Sequence, residues 1–128
     1  MSKVKFCLFA STPDMLQYKF VVRVLTGIPE EIGQRAIDWG YDGIEFMPNP
    51  EHVPNPEVFA GALRRTGAVI LVVNSGRIAA QGLALLHKDT SVRRKSLEAF
   101  KNILDFAGYF KARVGLGAAR GPGIPEAS

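Results

Sequence analysis

The sequence predicts an α/β fold with a parallel sheet of about four strands and three helices, and three observations lead there. Short apolar runs of strand length alternate with stretches of helical periodicity. The connections between successive strands are too long for hairpins, and each favours a right-handed crossover. Gly, Pro or Asn marks nearly every junction. Strand and helix alternate three times and end on a fourth strand, the order of a parallel sheet.

The first strand is read at Val4 to Ala10, where only Lys5 interrupts the apolar residues, as expected for a strand covered on both faces. Ser11-Thr12-Pro13-Asp14 stops it. The connection to Gly27 contains Tyr18, Phe20, Val21, Val22 and Val24, too apolar for a free loop, so part of it is expected to pack or to form a short element. Helix one opens at Pro29 with Glu30 and Glu31 in its first turn, where the macrodipole favours carboxylates. It closes at Gly40, with Ile32, Ala36 and Trp39 on one face.

Gly43 to Met47 is the second strand, ended by Pro48-Asn49-Pro50. Asn55-Pro56 starts helix two as cap and first position, Phe59, Leu63 and Thr66 recur at helical spacing, and Gly67 ends it. Ala68 to Val73 is the clearest strand, wholly apolar and expected to be fully buried, bounded by Asn74-Ser75-Gly76. Helix three runs from about Ser91 to Ala107, with Leu97, Phe100, Leu104 and Ala107 as its apolar stripe. Arg113 to Gly117 is the fourth strand, and 118–128, rich in Gly, Pro and Ala, is expected to be a disordered tail.

Composition narrows the function classes. With 128 residues, 47% of them hydrophobic, the chain fits one domain of ordinary core size. No apolar run approaches the roughly 20 residues of a membrane span, and the first residues lack a secretory pattern, so a cytoplasmic location is expected. The single cysteine, Cys7, excludes an internal disulfide and sits in an apolar run as a small hydrophobe does. The net charge of +4 is spread over Arg64-Arg65, Arg93-Arg94-Lys95 and 111–120 without interleaved aromatics, a pattern of solvated helix faces and not of nucleic-acid binding.

An open doubly wound sheet and a partial barrel both satisfy this element order. A dinucleotide site is disfavoured, because the turn after strand one lacks Gly-x-Gly-x-x-Gly. The run Ala36-Ile37-Asp38-Trp39-Gly40-Tyr41-Asp42-Gly43-Ile44-Glu45 resembles the second-strand signature of the xylose isomerase-like barrels, the sugar phosphate isomerase/epimerase superfamily that also holds the endonuclease IV type of abasic-site nuclease. Leu25-Thr26-Gly27, Asn74-Ser75-Gly76, Gly82-Leu83 with Asp89 and Arg93-Arg94, and Gly117 to Gly121 resemble the same family in the same order, over residues 3–121. Lys111 departs from it, standing where the family usually has Gly.

The resemblance implies that 1–117 form the N-terminal half of a TIM barrel. Complete barrels run to about 250 residues, so the length implies a chain that stops before strands five to eight. A complete relative would hold a divalent metal, Mn or Mg, on carboxylates and a histidine of those strands, and would isomerise or epimerise a sugar. This chain is then expected to hold no metal and to be inactive alone. The endonuclease IV type draws zinc-binding histidines from the ends of its third and fourth strands. Here those positions read Asn74-Ser75 and Gly117-Ala118, which favours sugar chemistry.

Barrel active sites lie at the carboxyl ends of the strands, which makes Glu45 the candidate catalytic residue and Asn74, Ser75 and Arg120 candidate substrate-binding residues. Glu45 is a carboxylate in an apolar strand, where burial would suit it to proton transfer; pairing with a neighbouring donor accounts for it equally. Asn-Ser-Gly is also ordinary turn chemistry. His52 and His87 lie in polar loops with no Asp, Glu or Cys at ligand-like spacing. An open parallel sheet leaves its first and last strands as edges, so a homodimer or a complementary half-barrel chain is the expected partner.

Overall fold

The computed structural model describes residues 3–17 and 24–121. The elements are strand β1 (Cys7–Ser11), a 3-10 turn (Pro13–Gln17), β2 (Leu25–Thr26), helix α1 (Pro29–Asp38), β3 (Gly43–Met47), α2 (Pro56–Arg64), β4 (Ile70–Asn74), α3 (Gly76–Ala80), α4 (Thr90–Phe110), β5 (Arg113–Gly115) and a 3-10 turn (Gly117–Arg120). They form a five-stranded, all-parallel sheet in the order β2-β1-β3-β4-β5. This is the predicted α/β class, in an arrangement compatible with half of a (β/α) barrel. Among the described residues no helix is long and apolar enough to cross a membrane.

The local signals in the sequence account for the helix boundaries. Asn55 Oδ1 accepts from the Val58 N–H at 3.0 Å, ahead of Pro56 in the first turn of α2. Glu31 reaches back to the Ile28 N–H at the start of α1. Gly40, at φ +76°, lets the Tyr41 N–H turn back onto the Ala36 carbonyl and end it. Asp89 caps α4 through the Ser91 N–H at 2.8 Å. Lys111 closes α4 in the left-handed conformation, φ 52°, so the departure from glycine falls where the backbone most favours glycine.

Helices α1, α2 and α4 cover one face of the sheet. Leu8, Ala10, Ile44, Phe46, Ile70 and Val73 point into them and meet Ile32, Ala36, Phe59, Leu63, Ile103 and Phe106. Phe46, Phe59 and Phe106 stack at centroid separations of 4.6–5.7 Å in the centre of this layer.

Several expectations need correction. Among the described residues there are five strands, because Leu25–Thr26 of the unassigned connection pairs with Ala10 and Ser11; Tyr18 to Val22 lie outside the described residues. A fourth helix, α3, occupies what reads as a turn. The first strand starts at Cys7, and Val4 and Phe6 are exposed. Neither β1 nor β4 is covered on both faces: Cys7, Phe9, Leu71 and Val72 are only half-buried.

On α4 the buried stripe is Ser96, Ile103, Phe106 and Ala107, while Leu97 and Leu104 are exposed. Trp39 is exposed as well, with the Arg35 guanidinium over its ring. The expected tail begins as structure: Ala119 is buried, and the Leu85 and Leu86 N–H groups donate to the Ala119 and Arg120 carbonyls at 2.9 and 3.1 Å. Residues 122–128 lie outside the described residues.

Candidate functional site

The parallel register aligns the carboxyl ends of β1, β3 and β4, so the segments that follow Ser11, Met47 and Asn74 meet at one end of the sheet. Two polar groups of side chains gather there, one projecting from the uncovered face and one joining the loops.

The first is Glu45 with Asn74. In β3 the side chains of Ile44 and Phe46 enter the core, which turns Glu45 to the opposite face, in register with Phe9 on one side and Val72 on the other. Asn74 Nδ2 donates to Glu45 Oε2 at 3.2 Å. The amide is held in that orientation because Asn74 Oδ1 accepts from the Gly76 N–H at 2.7 Å. A Cβ on residue 76 would stand 2.9 Å from that oxygen, so the turn needs the glycine it has. Glu45 is half-buried, and its second oxygen accepts from no described residue. Beside it on the same face, burial pushes the Cys7 thiol up, assisted by the Glu45 and Asp42 carboxylates. Cys7 is therefore a protonated, weakly nucleophilic neighbour of Glu45.

The second group centres on Asp14 and Arg77. Arg77, fully buried, forks onto the carboxylate, with Nη2 donating to Oδ2 at 2.8 Å and Nη1 to Oδ1 at 3.1 Å. Nη1 also donates to Thr12 Oγ1, whose hydroxyl donates to Asp14 Oδ1. Asn49 Nδ2 donates to Asp14 Oδ2 at 2.8 Å, while Asn49 Oδ1 accepts from Gln81 Nε2 and from the Glu51 N–H. The Arg77 guanidinium, with Thr12 and Asn49 adding to it, holds the Asp14 carboxyl well below the usual carboxylate range against the opposing effect of burial. Four donors fill its acceptor sites. Asp14 is thus an ionised structural hub tying three post-strand segments together, with no lone pair left for base catalysis.

The structure separates the predicted site residues. Glu45 and Asn74 come together. The Ser75 hydroxyl is engaged in donating to the Gly115 and Leu116 carbonyls at 2.6 and 3.1 Å, binding β4 to the end of β5. Arg120 is exposed on the final 3-10 turn, its guanidinium making no hydrogen bond to a described residue. His52 is exposed, and His87 Nδ1 accepts from the Asp89 N–H within the α4 cap.

Sequence reasoning missed Thr12, Asp14, Asn49, Arg77 and Gln81. The available signal was an arginine set among Ile78, Ala79 and Ala80 just past a strand, with an aspartate just past another. Among the described residues, no three His, Cys, Asp or Glu side chains converge as metal ligands would. No known protein-family profile matches the chain, and no curated protein matches it.

Proposed function

We propose that this chain is the N-terminal half of a sugar isomerase/epimerase-type (β/α) barrel, in which the Glu45–Asn74 pair takes the hydroxyl groups of a sugar substrate. The observation that carries the reading is the placement of that pair. It projects from the face that no described helix covers, at the carboxyl end of a parallel sheet, where ligands of such sheets bind. Glu45 presents a free acceptor oxygen to a sugar hydroxyl, and the Asn74 amide fixes the carboxylate in place. The Asp14–Arg77 hub holds the surrounding loops, and Arg120 lies free to meet a phosphate or carboxylate.

The divalent metal implied for a complete relative does not fit the residues present. Glu45 is a lone carboxylate with an amide neighbour, and a magnesium or manganese ion needs several oxygen ligands. The proposed role of these residues is binding and orientation, with ketose or ketose phosphate as the substrate class.

The test has two arms. NMR titration with ketoses and ketose phosphates is expected to shift the amides of Glu45, Met47 and Asn74, and Glu45→Ala is expected to remove those shifts. Assays with Mn²⁺ or Mg²⁺ are expected to show no turnover by this chain alone. Sugar-independent spectra, or saturable conversion that a chelator abolishes, would each count against the proposal.

A further inference from the structure

The sheet has two open edges, and the helices beside them carry matching surfaces. No described strand lies on the outer side of β5. At the other edge β2 covers only Ala10 and Ser11, and no described strand lies beside Cys7 to Phe9 on that side. Parallel strands with unpaired edges are templates for further pairing.

Beside β5, α4 exposes Leu97 and Leu104, 48% and 43% accessible and seven residues apart. Helical periodicity sets them on the flank away from Phe106, which contacts Phe59 of α2. Arg94 and Lys101, exposed and also seven apart, form the outer rim of that flank, and Glu98 pairs with Lys101 at 3.5 Å. Beside β1 and β2, the two residues that flank α1, Ile28 before it and Trp39 after it, are exposed, 50% and 54% accessible. Trp39 lies on the flank away from Gly33, whose neighbours are Leu63 of α2 and Thr66 just beyond it. Glu31 and Asp38, again exposed and seven apart, form its outer rim, with Arg35 over the Trp39 ring.

The two flanks are complementary in three respects. Each carries exposed apolar side chains bordered by charged ones, as interfaces have a core and a rim. The charges that border the apolar side chains are opposite in sign, Arg94 and Lys101 on α4, with Glu98 beside Lys101, and Glu31 and Asp38 on α1, with Arg35 between them. Their charges also recur at the same spacing, about 10.5 Å for seven residues at 1.5 Å each. Both helices begin at the carboxyl end of the sheet and run antiparallel to the strands, so laying them side by side brings Arg94 towards Glu31 and Lys101 towards Asp38.

We infer that a second copy of this chain covers these surfaces, with β5 and α4 of one protomer against β1, β2 and α1 of the other and the reverse contact closing the pair about a two-fold axis. A head-to-tail contact of this kind closes into a ring when the curvature allows, and two half-barrels supply that curvature. The inference rests on the edges, the flanks and the half-barrel reading proposed above, and is distinguishable from sugar binding because its readout is association without ligand.

Sedimentation velocity over a concentration series tests it. The expected result is a dimer of twice the chain mass, converted to monomer by Leu104→Glu with an unchanged far-UV circular dichroism spectrum. Asp38→Lys and Lys101→Glu are each expected to weaken the dimer about tenfold, and the double variant, which reverses both charges of the Lys101–Asp38 contact at each of the two interfaces, to restore it. A monomer at every concentration, a ladder of larger oligomers, a dimer indifferent to Leu104→Glu, or a double variant no tighter than the singles would overturn the inference.

Discussion

The two faces of the sheet are made from alternate residues of the same strands, yet they differ in what their side chains do. On the helix-covered face, Ala10, Ile44, Phe46 and Val73 are wholly excluded from water. On the other face, Cys7, Phe9, Glu45 and Val72 remain half-buried, and the carboxylate among them keeps an unused acceptor oxygen. The first face derives its stability from close packing, in which every methylene counts. The second has no described layer over it, so it tolerates a charge and remains accessible to a ligand or a partner. Stability and, on the proposed reading, binding are thereby assigned to opposite sides of one set of strands.

The sharpest way to break this contrast is to truncate one aromatic on each face. Phe46→Ala is expected to lower unfolding stability by about 3–5 kcal/mol through transfer and cavity costs together, and Phe9→Ala by only about 1 kcal/mol. Equal losses in urea denaturation would show that the second face is packed as tightly as the first.

The next largest effect belongs to the loops that join the faces. Arg77→Ala should cost about 2–3 kcal/mol, less than a fully buried pair because Asp14 is partly exposed. The same pair sets an acid dependence. Asp14 has its pKa lowered in the folded state, so its stabilisation is fully present above the ordinary carboxyl range, near pH 4, and is lost as pH falls through the folded value. Denaturation midpoints should therefore fall below about pH 4 in the native chain, with a shallower fall in Asp14→Asn.

Smaller effects sharpen the comparison. Lys111→Gly, which touches neither face, should stabilise by roughly 0.5–1 kcal/mol by relieving the left-handed backbone at the end of α4. Glu45→Gln should change stability by less than about 0.5 kcal/mol, as expected for a half-buried site away from the core. A larger loss on Glu45→Gln would make the carboxylate part of the scaffold and weaken its assignment to ligand.

Much of this was legible in the chain because it depends on near neighbours. Asn55-Pro56, Pro29 with Glu30 and Glu31, and Gly40 act within one turn, and they mark the ends of α1 and α2 where the structure has them. Gly43 to Met47 was bounded correctly by flanking turn residues. Other features were misread for one reason. Apolar runs at 68–73 and 4–10 show that burial is available, but not whether one layer or two will supply it. Leu97 and Leu104 fit a helical stripe as well as Ile103 and Phe106 do, and only the neighbouring α2 decides which stripe is buried.

The candidate site divides along the same line. Glu45 stood out because a carboxylate within a strand is locally anomalous, whereas Asp14 and Arg77, 63 residues apart, became partners only when parallel pairing aligned three strand ends. By itself, then, the sequence determined the parallel α/β class, most element boundaries and the position of one unusual carboxylate, because propensity, capping and periodicity act over a few residues. The tertiary structure decided which face is covered, which leucines are exposed and which charges meet, because burial and ion pairing depend on distances that only the folded chain sets.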